Sequence, residues 1–211
     1  MRVSKKSDYT VIIPTMWVVP GVFMAMLEQY QQCDRIGEVL IINNKGEGHD
    51  LPFSKVRMLG NGKNMYVNPA WNLGASEAKC KRLIIANDDI FVEDIEELLD
   101  LVDSNIKKGM VIGVGRNCYY PKNPGKLSIE PMPKREYGWG CMMFMYKESY
   151  APIPNALKIW TGDDWQIDNN KAYAIRGIQF YTQMSATVKQ PRLKKITVND
   201  YKLYKKMGGK Q

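Results

Sequence analysis

Two pairs of adjacent carboxylates are the residues best placed by type to do chemistry. Asp88-Asp89 ends the stretch Arg82-Leu83-Ile84-Ile85-Ala86-Asn87-Asp88-Asp89, and Asp163-Asp164 lies in Ile159-Trp160-Thr161-Gly162-Asp163-Asp164-Trp165. Neighbouring ionised carboxylates repel, and burying them is costly unless a cation or a polar ligand lies between them. Such a pair can offer oxygen ligands to a hard divalent cation, or keep one member weakly acidic enough to take a proton. The plainer reading is capping, in which Asp88 or Asp89 ends a turn before a helix near Glu93, and Asp163 and Asp164 open a helix running towards Ala172. Other chemistries have less support. His49 is the only histidine and falls in the loop Lys45-Gly46-Glu47-Gly48-His49-Asp50, which excludes a two-histidine metal site and argues against a Ser-His-Asp triad. Cys33, Cys80, Cys118 and Cys141 form no C-x-x-C pair, so reduced thiols are expected instead of zinc or a disulfide framework.

The elements that must hold these acids follow from the apolar pattern. Asp8 to Thr15, Glu38 to Asn44, Leu83 to Ala86 and Met110 to Val114 are short apolar runs without polar alternation, as expected for strands buried on both faces of a parallel sheet. Between them, Pro20 to Tyr30 and Pro69 to Ala78 read as helices, and Glu93 to Lys108 as a third, stopped by Gly109. Lys55 to Leu59 is a short strand. Gly74, inside the second helix, fits either close approach of a ligand or tight helix-to-sheet packing. After residue 115 the pattern is less regular: a turn-rich loop at 119–126, a Pro-punctuated stretch from Ile129 to Arg135, a strand entered through Gly138-Trp139-Gly140, and a final strand from Ala174 to Tyr181. Strand-helix alternation followed by a mixed half predicts an α/β sandwich with a Rossmann-like first half. Ligands in such sheets sit at the carboxyl ends of the strands, where Thr15, Asn43, Asn44, Asp88 and Asp89 all fall.

The chain has 211 residues, 45% of them hydrophobic and 25% charged, enough for one domain with a sizeable core. No apolar run reaches the ~20 residues of a membrane-spanning helix. A cytoplasmic location is the expectation, in a host cell if the protein is viral. Residues 189–211 hold eight Lys or Arg against Asp200 alone, which leaves a net charge of only +1 from the total of +8 for everything before. The expected organisation is a single domain, 1–188, with halves at 1–115 and 116–188, and a basic tail, 189–211, in which Asn199 caps a short helix.

Taken together, Ile12-Ile13-Pro14-Thr15, Leu40-Ile41-Ile42-Asn43-Asn44, Asn72-Leu73-Gly74, Asn87-Asp88-Asp89, Gly138-Trp139-Gly140 and Gly162-Asp163-Asp164-Trp165 resemble, in order, the motifs of family-2-like GT-A glycosyltransferases. The resemblance spans roughly residues 8 to 185. It implies a GT-A fold with a nucleotide-sugar-binding half and a smaller acceptor-binding half. It also implies inverting transfer from a nucleotide sugar, most often a UDP-sugar, with Mn²⁺ or Mg²⁺ neutralising the leaving diphosphate. By the same resemblance Asp89 is the metal ligand, and Pro14, Thr15, Asn43, Asn44, Asn72, Asn87 and Asp88 contact the nucleotide sugar. Asp164 is the base with Asp163 beside it, and Trp139, Gly140 and Trp165 face the acceptor. Three positions depart from the pattern: Asn87 stands for the first acid of D-x-D, Asn43-Asn44 for an acidic turn, and Phe180 to Ser185 supplies no late histidine.

The basic tail, with Tyr201, Leu203 and Tyr204 among its lysines, suits a polyanion. The favoured acceptor is a hydroxymethylated base in DNA, as in phage-type DNA-modifying enzymes. Alternatives are a cell-surface glycan or a lipid-linked acceptor, with the tail in peripheral contact with a membrane, and a non-catalytic module that binds nucleotide sugar or nucleic acid.

Overall fold

The computed structural model describes residues 7–46, 50–120, 125–183 and 191–210; His49 lies outside them. In chain order the elements are β1 (Tyr9–Thr15), α1 (Pro20–Gln32), β2 (Ile36–Asn43), β3 (Val56–Leu59), α2 (Val67–Glu77), β4 (Arg82–Ala86), β5 (Ile90–Val92), α3 (Ile95–Asn105), β6 (Met110–Val114), β7 (Ser128–Pro131), β8 (Met142–Tyr146), α4 (Gly162–Asn169), β9 (Lys171–Arg176), β10 (Phe180–Thr182) and α5 (Pro191–Lys206). Eight strands form one mixed sheet in the order β3-β2-β1-β4-β8-β6-β9-β7, and β10 pairs with β5 in a small second sheet. β3, β2, β1 and β4 run parallel, and β8 is antiparallel to both β4 and β6.

The unalternating strands are explained by burial on both faces. Val11 and Ile13 of β1 pack with Phe23, Met26 and Leu27 of α1 and with Leu98 and Val102 of α3. Ile12 points the other way, into a cluster with Ala70, Trp71 and Ala75 of α2. Gly74 belongs to this packing: a Cβ there would come within 2.3 Å of the Ile12 side chain, so the helix can lie on β1 only without one.

Several boundaries differ from the sequence reading. The cap of α3 is Asp94, whose carboxylate accepts from the Glu97 amide at 2.8 Å. Strand β5 separates that cap from Asp88-Asp89, so neither of those acids is spent on capping. The predicted final strand is two strands, β9 and β10, broken at Gly177, whose φ of +79° a side chain would disfavour. Helix α4 stops at Asn169 because Ala172 is needed in β9, where it pairs with Val111. The basic C-terminal segment is a helix of 16 residues, with Asn199 inside it and not at its cap. Leu193, Asp200 and Tyr204 of that helix are buried against the domain. Among the described residues no helix is long and apolar enough to cross a membrane.

Candidate active site

The parallel strands end together, and their last side chains interlock. Thr15 Oγ1 donates to Asp88 Oδ2 at 2.7 Å and accepts from the Trp17 amide at 2.9 Å. Asn43 Oδ1 accepts from Trp17 Nε1 and from the Lys45 amide, and Asn44 Oδ1 accepts from the Met65 amide. Pro14, Thr15, Asn44 and Asp88 line one narrow pocket of about 50 Å³, with Tyr66 and Ile159. Asn43 shapes the turn beside it through the Trp17 and Lys45 contacts.

Asp89 faces elsewhere. It lines a larger cavity of about 490 Å³ with Gly21, Phe91, Tyr181 and Thr182, and Thr182 Oγ1 donates to its Oδ2 at 3.0 Å. Burial pushes both carboxyls above their usual range; the charge of Asp89 adds to the shift on Asp88, while the hydroxyls of Thr15 and Thr182 oppose it. Asp89, buried and opening into that cavity, offers an oxygen ligand to a divalent cation, whose charge would offset the cost of ionising it. Among the described residues no group of three or more His, Cys, Asp or Glu could hold a metal on its own. A Mg²⁺-like ion shared between one or two carboxylates and substrate phosphates does not need such a cage.

The second pair opens α4. Thr161 precedes it in the left-handed region at φ 63°, and Gly162 lies against Asn68, where a Cβ would meet Oδ1 at 2.1 Å. Arg135 spans both acids, with Nη2 2.5 Å from Asp163 Oδ2 and Nε 2.5 Å from Asp164 Oδ1. The second contact is an ion pair out of hydrogen-bond alignment, and Asp164 Oδ1 is buried without a hydrogen-bond partner among the described residues. Burial, and then the Asp163 charge, raise the Asp164 carboxyl from 3.8 to about 7, against the pull of Arg135. The adjacent acid predicted from sequence is thus the second cause of the shift, after burial. A carboxylate that titrates near neutrality suits proton abstraction.

A single turn connects the two acid pairs. Asn87 donates its peptide N–H to Cys141 O at 2.9 Å, and a Cβ on Gly140 would lie 2.6 Å from Asp163 Oδ2. The thiol of Cys141 is pushed up to about 12, first by burial and further by the charges of both Asp89 and Asp163. Asp88 thus lines the Thr15 pocket, together with Ile159 from the segment that leads into α4, and Asp89 lines the cavity beside Gly21 and Tyr181.

Other predicted residues have different work. Trp139 is fully buried, with Nε1 donating to Tyr173 O at 2.8 Å and its ring where a Cβ on Gly113 would sit, so it is core and offers no acceptor surface. Asn72 donates to Ile153 O and accepts from the Tyr150 hydroxyl and the Ile153 amide, which makes it a staple between α2 and the following loop instead of a nucleotide contact. Trp165 is half-buried against the α2-side core. Sequence reasoning missed Arg135 and Thr182, because only the fold carries a Pro-Lys-Arg-Glu stretch and a distant strand to the acids.

A sheet whose parallel half ends at Thr15, Asn44 and two carboxylates, with a second acid pair on helix α4 beside the mixed half, has the GT-A fold of glycosyltransferases. Among solved structures, the chain is similar to S. aureus TarS 1–349, with a TM-score of 0.60, 12% identity, and coverage of 82% of this chain and 59% of that one. The complex of the same TarS piece with UDP gives 0.59 at 10% identity, with the same coverage. GalNAc-T7, solved with UDP, GalNAc and Mn²⁺, gives 0.62 at 12% identity over 96% of this chain and 48% of that one. The chain thus spans about half to three-fifths of the length of these structures. No family model and no curated protein matches the sequence.

Proposed function

We propose that this protein is an inverting glycosyltransferase that moves a sugar from a UDP-sugar to an acceptor hydroxyl. The observation that carries the reading is Asp164, a buried carboxyl titrating at about 7, on the turn-linked side of a site whose other end is the Thr15 and Asp88 pocket. Two of the similar structures were solved with UDP, which supports the same donor class. In this reading the nucleoside lies against Pro14, Thr15, Asn44 and Asp88. Asp89 would hold Mn²⁺ or Mg²⁺; when bound, that ion neutralises the charge growing on the leaving diphosphate. Asp164 accepts the acceptor's proton as its oxygen attacks the anomeric carbon on the face opposite the diphosphate, and Arg135 and Asp163 tune its basicity.

For the acceptor we favour hydroxymethylated bases in DNA. Lys194, Lys195, Lys202, Lys205 and Lys206 are exposed on α5, and the one acid of that helix, Asp200, is buried. The face of α5 carrying Leu193 and Tyr204 is committed to the domain, which favours a charge-led polyanion contact over insertion into a bilayer. The test is incubation with radiolabelled UDP-sugars, Mn²⁺ and either hydroxymethylated or plain DNA. Label should enter only the hydroxymethylated DNA. Asp164→Asn should abolish transfer while UDP binding persists, and Asp89→Asn should weaken UDP binding in Mn²⁺ at least about tenfold. Unchanged turnover in Asp164→Asn refutes the mechanism, and label on neither DNA refutes the acceptor.

A further inference from the structure

The segment 158–160 enters α4 without belonging to a helix or strand, so nothing in its own backbone pattern sets its path. Two fully buried side chains set it instead. From α5, Asp200 Oδ2 accepts the peptide N–H groups of Lys158, Ile159 and Trp160 at 3.1, 2.7 and 2.9 Å. From α2, Asn68 donates its own amide to Lys158 O at 2.9 Å and its Nδ2 to Trp160 O at 3.0 Å. A carboxylate gathering three amide donors makes strong charge-assisted bonds, and here the donors are consecutive. The next residue, Thr161, takes the left-handed turn and accepts the Trp165 amide at 2.9 Å, which starts the helical turn that carries Asp163 and Asp164. One turn beyond Asp164, the hydroxyl of Tyr204 on α5 donates to Asp168 Oδ2 at 2.6 Å. The helix α5 therefore grips α4 on both sides of the acid pair.

We infer that Asp200 is a positioning residue for Asp164, acting through the clamped segment 158–160, so that α5 is a working part of the transfer site. The inference rests on reading Asp164 as the base. Ile159 and Leu193 both line the Thr15 and Asp88 pocket, so the clamp also sets one wall of the donor site. The net effect is to hold the base in register with a donor bound across the turn, where a displacement near 1 Å can cost about 100-fold in rate.

The test uses the full chain with Asp200→Asn, and Tyr204→Phe as a milder variant that leaves the clamp intact. Hydrogen exchange followed by mass spectrometry reads the clamp directly and needs no turnover. In Asp200→Asn, amides 158–160 should exchange at least about tenfold faster while those of β1 and β4 keep their protection. In the transfer assay, kcat should fall about 10- to 100-fold, donor KM should rise by a smaller factor because Ile159 lines the donor pocket, and the limb of the pH profile due to Asp164 should move. Tyr204→Phe should show a smaller kcat loss without faster exchange at 158–160. Unchanged exchange at 158–160, or a kcat loss matched by loss of protection throughout the sheet, overturns the inference. Should the wild-type protein transfer no sugar, the exchange result still decides the clamp, and the transferase reading is what fails.

Discussion

Opposite displacements of one ionisation provide the sharpest test of the acid pair on α4. On the proposed role, Asp164 would accept a proton only when ionised, so kcat/KM of the wild type should rise about tenfold per pH unit up to a midpoint near 7 and then level off. Arg135 Nε lies 2.5 Å from Asp164 Oδ1. At that separation the attraction is about 2 kcal/mol in the dielectric of water and about 7 kcal/mol at an effective dielectric near 20. The two side chains are 29% and 6% exposed, so the lower figure is a floor. Arg135→Met should therefore raise the midpoint by at least about 1 pH unit, since 1.36 kcal/mol corresponds to one unit. Asp163→Asn removes a neighbouring negative charge and should lower the midpoint. The assay is UDP release from the donor at fixed ionic strength between pH 5 and 9. The reasoning fails if both variants move the midpoint the same way, or if no limb occurs near neutrality. Stability supplies an independent reading. Because the Asp164 carboxyl is raised on folding, the stability it contributes is complete below its ordinary value of 3.8 and is lost as pH rises through about 7. Asp164→Asn should accordingly raise the melting temperature at pH 8, by up to about 4 kcal/mol of stability, and change it little at pH 4.

The remaining predictions concern packing beside the site. Gly140→Ala would set a Cβ 2.6 Å from Asp163 Oδ2 and should reduce turnover strongly; Gly74→Ala, against Ile12, should instead cost about 1 to 3 kcal/mol of stability with turnover per folded molecule retained, as measured by thermal melts and activity side by side. Truncation before Pro191 removes buried Leu193, Asp200 and Tyr204, so it should lower stability by about 3 kcal/mol or more in urea titrations and abolish turnover as well as polyanion binding. A truncated chain that keeps full turnover would show that α5 is dispensable to the site.

Much of this architecture was legible from local pattern. Apolar runs without alternation marked β1, β2, β4 and β6, because burial on both faces leaves no polar side, and the polar residues just beyond three of these runs marked the sheet edge where ligands bind. The acid pairs stood out for the same reason: adjacent carboxylates at the end of a buried strand or the start of a helix are local features. The choice between capping and chemistry at Asp88 and Asp89 was not local, since it turned on Asp94 taking the cap and on β5 lying between, three residues too short to announce a strand.

What tertiary structure alone decided are the contacts between residues far apart in the chain. Arg135 reaches Asp163 across 28 positions, Thr182 reaches Asp89 across 93, and Asp200 reaches Lys158 across 42. None of these partners belongs to a periodic pattern, because a single charge or hydroxyl on an irregular stretch carries no record of what the fold will bring beside it. Trp139 and Asn72 show the converse: residue types suited to stacking or hydrogen bonding a ligand were used inside the protein, because the mixed half needed a large side chain over Gly113 and α2 needed a polar tie to the loop at Ile153. The amino-acid sequence by itself determined the sheet and the two pairs of acids. The crossing of distant segments decided that one acid faces the Thr15 pocket, that another is buried beside Arg135, and that a basic stretch is a helix whose Asp200 binds the segment leading into α4.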